Sequence, residues 1–219
     1  MFVGLDEAAQ VRDFYYPYVG LENHVSSQHI HRIGVFVDGK LSWTSDASFR
    51  KETDCSHDVE TCSFVAVNDK LGVKLVLSDT VYNEKNIFIR EVTVHNLHDN
   101  DREIKVFFGQ QFEISESTRG DTGYFDPRCQ SVSHYKGRRA LLVHAQWKNK
   151  SFDDYTVGIF EIEGKEGSHV DAVDGSLQKN AIEHGSVDSV IGMTLSVGPK
   201  EKETFHYWIT LGESIREAQ

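Results

Sequence analysis

Ile33-Gly-Val-Phe-Val-Asp-Gly-Lys-Leu-Ser-Trp43 decides the fold of this chain. Two runs of alternating apolar and polar residues flank an Asp-Gly pair. A two-residue hairpin turn needs positive φ at both central positions, and Asp-Gly is among the pairs that supply it most cheaply. The stretch is therefore expected to fold as a tight antiparallel hairpin.

The same period of two recurs on both sides of it. Phe64–Val67 and Val73–Leu77 flank the turn Asn68–Gly72. Ser131–Tyr135 and Ala140–His144 flank Lys136-Gly-Arg138. Asn86–Val94 is expected to pair with Glu103–Phe108 across a polar loop, and Tyr155–Ile162, Ser189–Val197 and Glu203–Leu211 complete the set. Such strands bury one face and wet the other. Helical periodicity is weak throughout, and Gly167–His184 reads as a short helix or a long loop. The expected class is all-β: a large antiparallel two-sheet sandwich with few or no helices.

The chain has 219 residues, 39% hydrophobic and 26% charged, enough for one large domain with a sizeable core. Its formal net charge of -11 disfavours phosphate backbones, so nucleic acid is not an expected partner. No apolar run is long enough to span a bilayer, and no signal-peptide pattern is present, so no membrane partner is expected. Three cysteines, Cys55, Cys62 and Cys129, make no disulfide framework, although Cys55 with Cys62 is conceivable. Sparse cysteine usage points to a reducing, cytoplasmic setting.

Chemistry concentrates in Arg12-Asp-Phe-Tyr-Tyr-Pro-Tyr-Val-Gly-Leu-Glu-Asn-His24. Pro17 should end the preceding strand, and Gly20 permits a bend beyond it. Tyr15, Tyr16 and Tyr18 offer faces for a pyranose ring or for a neighbouring domain, beside Glu22, Asn23 and His24. Tyr124 and Asp126, in Gly120–Pro127, give a second segment of the same kind. Glu22, Glu113, Glu116, Asp121 and Asp126 include carboxylates of the type an inverting glycosidase needs about 6.5–9.5 Å apart, but their spacing singles out no pair. Among 11 His, His29 and His31 share a strand face and His57 lies near Cys55 and Cys62. These spacings match no zinc pattern, so neither a metal nor another cofactor is expected. His184-Gly-Ser-Val-Asp188 holds the residue types of a hydrolase triad, but reads as a polar turn entering a strand. Arg138 and Arg139 read as solvated or carboxylate-paired.

Several motifs occur in one order: Val3–Glu7, Arg12–His24, His134–Val143, Glu163–Gly167, Asp174–Ser176 and Ile182–Ser189. Together they resemble the N-terminal domain of prokaryotic glycoside hydrolase family 15 proteins, which include glucoamylases, glucodextranases and trehalases. The resemblance covers the chain up to about Gly212. It implies a galactose-mutarotase-like super-sandwich over residues 1–212, with 213–219 beginning a linker toward an (α/α)6 barrel. In that family the barrel carries both catalytic Glu residues, so no catalytic residue is assigned to this chain. Relatives usually have more sandwich sequence before the Val-Gly-Leu-Asp element. The implied role is accessory: supporting the barrel and forming a wall near its substrate pocket. The implied partners are the barrel and an α-glucan or glucose oligosaccharide. A free-standing carbohydrate-binding module is the alternative, and a mutarotase-like enzyme is suggested by fold analogy alone.

Overall fold

The computed structural model describes residues 1–25, 31–54, 63–117, 119–162 and 164–219. His29, Cys55, His57 and Cys62 lie outside the described residues. The chain opens with β1 (Phe2–Leu5), β2 (Val11–Tyr15), β3 (Arg32–Val37) and β4 (Lys40–Trp43). There follow β5 (Arg50–Asp54), β6 (Ser63–Asn68), β7 (Val73–Tyr82), β8 (Ile87–Asn96) and β9 (Arg102–Gln111). β10 (Asp121–Asp126), β11 (Ser131–Lys136), β12 (Arg139–Trp147), β13 (Lys150–Ser151) and β14 (Asp154–Ile159) come next. A 3₁₀ turn (Ser168–Asp174), β15 (Ile182–Gly185), β16 (Val187–Val197), β17 (Lys202–Gly212) and the short helix α1 (Ile215–Ala218) complete it.

Two sheets form the sandwich. The large one runs β15-β10-β11-β12-β17-β8-β7-β6-β5, with β13 paired to β12. The small one runs β14-β16-β9-β3-β4, and β1 with β2 makes a separate ribbon. Every strand pairing among the described residues is antiparallel. The 33–43 hairpin forms as expected, with Val37 opposite Lys40 and φ of 50° at Asp38 and 73° at Gly39.

The core lies between the sheets. Phe88, Val92 and Val94 of β8 and Phe205, Tyr207 and Ile209 of β17 face Ile104, Val106 and Phe108 of β9. The small sheet is buried on its outer face as well, where Phe107 and Val190 meet Ala172 from the 3₁₀ turn and Leu177 just beyond it. Gly175 makes that approach possible: its φ is 84° and a Cβ there would lie 2.3 Å from the Phe36 ring.

One expected pairing is wrong. β8 pairs with β7 and β17, whereas β9 crosses to the small sheet between β16 and β3. Both strands carry an apolar face, and alternation does not distinguish a neighbour in the same sheet from a strand facing it across the core. Buried Arg102 fixes the crossover, donating to the carbonyls of Leu71 (2.8 Å) and Gly72 (3.1 Å) and pairing with Asp38 (2.7 Å). Among the described residues no helix is long and apolar enough to cross a membrane.

Candidate functional site: the 16–24 loop and its neighbours

β2 stops at Tyr15, and the Tyr16–Pro17 peptide bond is cis. Pro17 has no N–H for the ribbon, and Gly20, at φ 83°, turns the chain back. The returning segment closes on β2, with the Tyr16 N–H donating to the Glu22 carbonyl and the His24 N–H to Phe14.

Most of the polar candidates build this loop. The Asn23 carboxamide oxygen accepts from the Phe14 N–H (2.8 Å) and the Val25 N–H (3.1 Å), while its amide donates to Asp13 (2.9 Å). His24 is fully buried. The Ser115 N–H donates to its Nδ1 (3.1 Å), which leaves Nε2–H to donate to the Tyr16 carbonyl (2.7 Å). Burial lowers its pKa, so the ring is a neutral strut between two loops. The second loop needs that strut. Ser115 and Glu116 both have φ near 56°, an arrangement costly for residues other than glycine. Lys136 holds them from the other side through the carbonyls of Ile114 (3.0 Å) and Ser117 (2.9 Å).

Lys136 also lies 3.1 Å from buried Asp121, whose pKa burial raises to about 6 despite the neighbouring ammonium. Glu22 receives both arms of the Arg139 guanidinium, each at 2.7 Å, which lowers its pKa. Arg138 pairs with Glu213 just before α1. The helix packs Ala218 and Ile215 on Ala140 and Leu142 of β12. The 213–219 segment is thus docked on the outer face of the large sheet. Tyr16 is buried in the core cluster, and its hydroxyl pKa is raised by burial and then by Glu217. Loop, Arg139 and α1 form one continuous end of the molecule.

The apolar tip stays open. Tyr18, Val19 and Leu21 are 61%, 59% and 71% exposed. Tyr15 is half-buried and packs its ring against Phe2 across the ribbon, with centroids 6.2 Å apart. Tyr124 belongs to β10 of the large sheet and meets Tyr135 edge-on at 6.2 Å. Asp126 sits at the far end of β10 from Asp121. There it accepts the Arg128 N–H (2.9 Å) and guanidinium (2.8 Å), which holds its pKa at about 2 and closes the hairpin turn.

Glu22, Asp121 and Asp126 are each paired with a different cation, and Asp126 lies at the opposite end of β10 from Asp121. His184 bonds Thr122 (2.9 Å) while Asp188 is held by Ser168 (2.6 Å), so that group is no triad. Among the described residues no group of His, Cys, Asp and Glu is arranged to hold a metal ion. Sequence reading passed over Val19 and Leu21, which complete the exposed patch, and gave Arg139 no particular partner. Val19 and Leu21 carried a signal, as apolar residues beside Gly20 in a polar turn. Nothing local links Arg139 to Glu22, which lies 117 positions away.

No known family model matches the chain. It is 22% identical over 207 residues to an uncharacterised glycosyl hydrolase of Methanocaldococcus jannaschii, covering 94% of this chain and 32% of that protein. Its fold matches a bacterial glucoamylase solved with acarbose at a TM-score of 0.72 and 15% identity, over 96% of this chain and 30% of the other. It also matches the Slr1438 protein of Synechocystis sp. PCC 6803, at a TM-score of 0.56 and 9% identity, over 97% and 91% of the two chains. The chain spans about a third of the length of the two hydrolases. It is an all-β sandwich with the fold of part of a bacterial glucoamylase and sequence similarity to part of a glycosyl hydrolase.

Proposed function

We propose that this chain is the non-catalytic, accessory N-terminal domain of a glucoamylase-like glucoside hydrolase. In this reading it packs against an (α/α)6 catalytic barrel and lends a wall near the substrate pocket. The observation that carries the proposal is the exposed apolar patch Tyr18, Val19 and Leu21, tied through Glu22 and Arg139 to the strand end on which α1 docks. A loop held this firmly, yet apolar at its tip, suits a packed domain seam. The similarity to about a third of two hydrolases supports the same reading. The dispersal of Glu22, Asp121 and Asp126 onto separate cations is consistent with chemistry performed elsewhere.

The test is addition in trans. The barrel of a family-15-type hydrolase, expressed without its sandwich, is titrated with this chain. Complex formation and a raised melting temperature of the barrel are expected, both lost in Leu21→Asp. Failure of the unaltered chain to bind any such barrel would count against the proposal.

A further inference from the structure

The outer face of the small sheet carries a site of its own. Phe107 of β9 and Val190 of β16 point outward there. Side chains alternate across a strand, so Gly109 and Gln111 share that face with Phe107, and Asp188 shares it with Val190. Arg32 of β3 joins them, on the same face as Phe36. The register sets Gln111 opposite Asp188, and Gly109 between Arg32 and Val190. Gly109 brings no side chain, and His169 of the 3₁₀ turn bounds the gap beside it. The result is a cavity of about 10 Å³. That is about the smallest volume that holds one water molecule.

The polar atoms around this cavity converge without satisfying one another. Arg32 Nη1 and His169 Nδ1 are buried with no hydrogen-bond partner among the described residues. An unpaired buried polar atom is costly. Gly167 marks how closely the others approach. A Cβ there would lie 2.8 Å from Asp188 Oδ2, 2.9 Å from Gln111 Nε2 and 3.1 Å from His169 Nδ1. Arg32 and Asp188 attract one another across this space. Asp188 nevertheless takes its hydrogen bonds from the Ser168 N–H (2.5 Å) and hydroxyl (2.6 Å). A charged pair that attracts without touching, beside a gap of this size, is the usual setting for a bridging water.

The set of groups selects its ligand. Arg32 and the Gln111 amide donate, and the Asp188 carboxylate accepts. Burial raises the Asp188 pKa, but both Ser168 bonds and Arg32 favour the ionised form. Burial and then the charge of Arg32 lower the His169 pKa. The ring is therefore neutral, and Nδ1 accepts when Nε2 carries the proton. Two donors and two acceptors match a water molecule, which accepts twice and donates twice. A halide would face the Asp188 carboxylate, and a metal ion would face the Arg32 guanidinium. We propose that this cavity holds one internal water molecule, which bridges Arg32 to Asp188 and His169 and so ties the 3₁₀ turn to the small sheet. The assignment is independent of the accessory-domain reading.

A high-resolution crystal structure of the 219-residue chain tests the assignment. One density peak is expected in the cavity, within about 2.7–3.2 Å of Arg32 Nη1, His169 Nδ1 and an Asp188 oxygen. Gly109→Ala is the matching variant. A Cβ at Gly109 would come no closer than 3.7 Å to its neighbours, so the added methyl occupies the cavity without strain. The peak should be lost in that variant, with the backbone of the sheet unchanged. Should Gly109→Ala disturb the sheet, the unaltered chain gives a second reading in solution. Magnetisation transfer from water to the α-protons of Gly109 and Gly167 is expected, with the sign of a long-lived bound water. An empty cavity, direct contact of Arg32 with Asp188, or a peak that bromide replaces on soaking would overturn the proposal. So would a peak that persists in Gly109→Ala, or an absence of transfer in solution.

Discussion

Glu22 and Arg139 join two segments through a two-armed ion pair that is largely shielded from water. A pair held by parallel charge-assisted bonds is worth more than a surface contact. Glu22→Gln is expected to cost about 1–2 kcal/mol in a denaturant titration, most of it absent when Arg139 is already Ala. Titration gives a second residue-scale test. His31 and His134 are buried with pKa values near 3, and His24 is lowered too. Unfolding frees all three to bind protons near 6.5, so the stability they contribute is complete above that pH and lost as pH falls below it. Asp121 works in the opposite sense. Its folded pKa, near 6, exceeds the ordinary 3.8, so between those values the folded state binds the extra proton and acid favours it. Asp121→Asn should therefore steepen the loss of stability between pH 6 and pH 4, by about 2–3 kcal/mol in total. A pH series of unfolding curves for both proteins checks this. The aromatic and polar residues of 15–24 were legible as an unusual segment. Their division into struts and an open tip was not, because His24 and Glu22 take their partners, Ser115 and Arg139, from distant parts of the chain.

Elements read from local chemistry emerge where expected. Asp38-Gly39 specifies its hairpin because both turn positions have positive φ. Gly39→Val should cost about 1–2 kcal/mol by forcing a β-branched residue into that region. Elements defined by long-range contact were less legible. β8 and β9 alternate alike, and only their long-range ladders, β8 with β7 and β17 and β9 with β16 and β3, put them in different sheets. The 3₁₀ segment had no periodicity to announce it, since its one buried apolar residue is Ala172, with His169 against Trp43. Gly123 is a further case. It lies on the inner face of β10, where a Cβ would stand 2.6 Å from Val187 and 3.1 Å from Val157. Gly123→Ala should overpack the core by about 1–3 kcal/mol, measurable as a lowered midpoint of thermal unfolding.

At the scale of the whole molecule, two sheets enclose one apolar core, and the 16–24 loop, Arg139 and α1 gather at one end. The sandwich was legible because period-two alternation spans most of the chain. The convergence of that end was not, because it joins residues from the first, middle and last parts of the sequence. In the proposed function this end serves packing, and hydrolysis belongs to a separate barrel. Glucose release by the purified 219-residue chain from maltose, isomaltose, trehalose and soluble starch tests that division most directly. No release above buffer is expected. Reproducible release that disappears on substituting Glu22, Glu113, Glu116, Asp121 or Asp126 would contradict it.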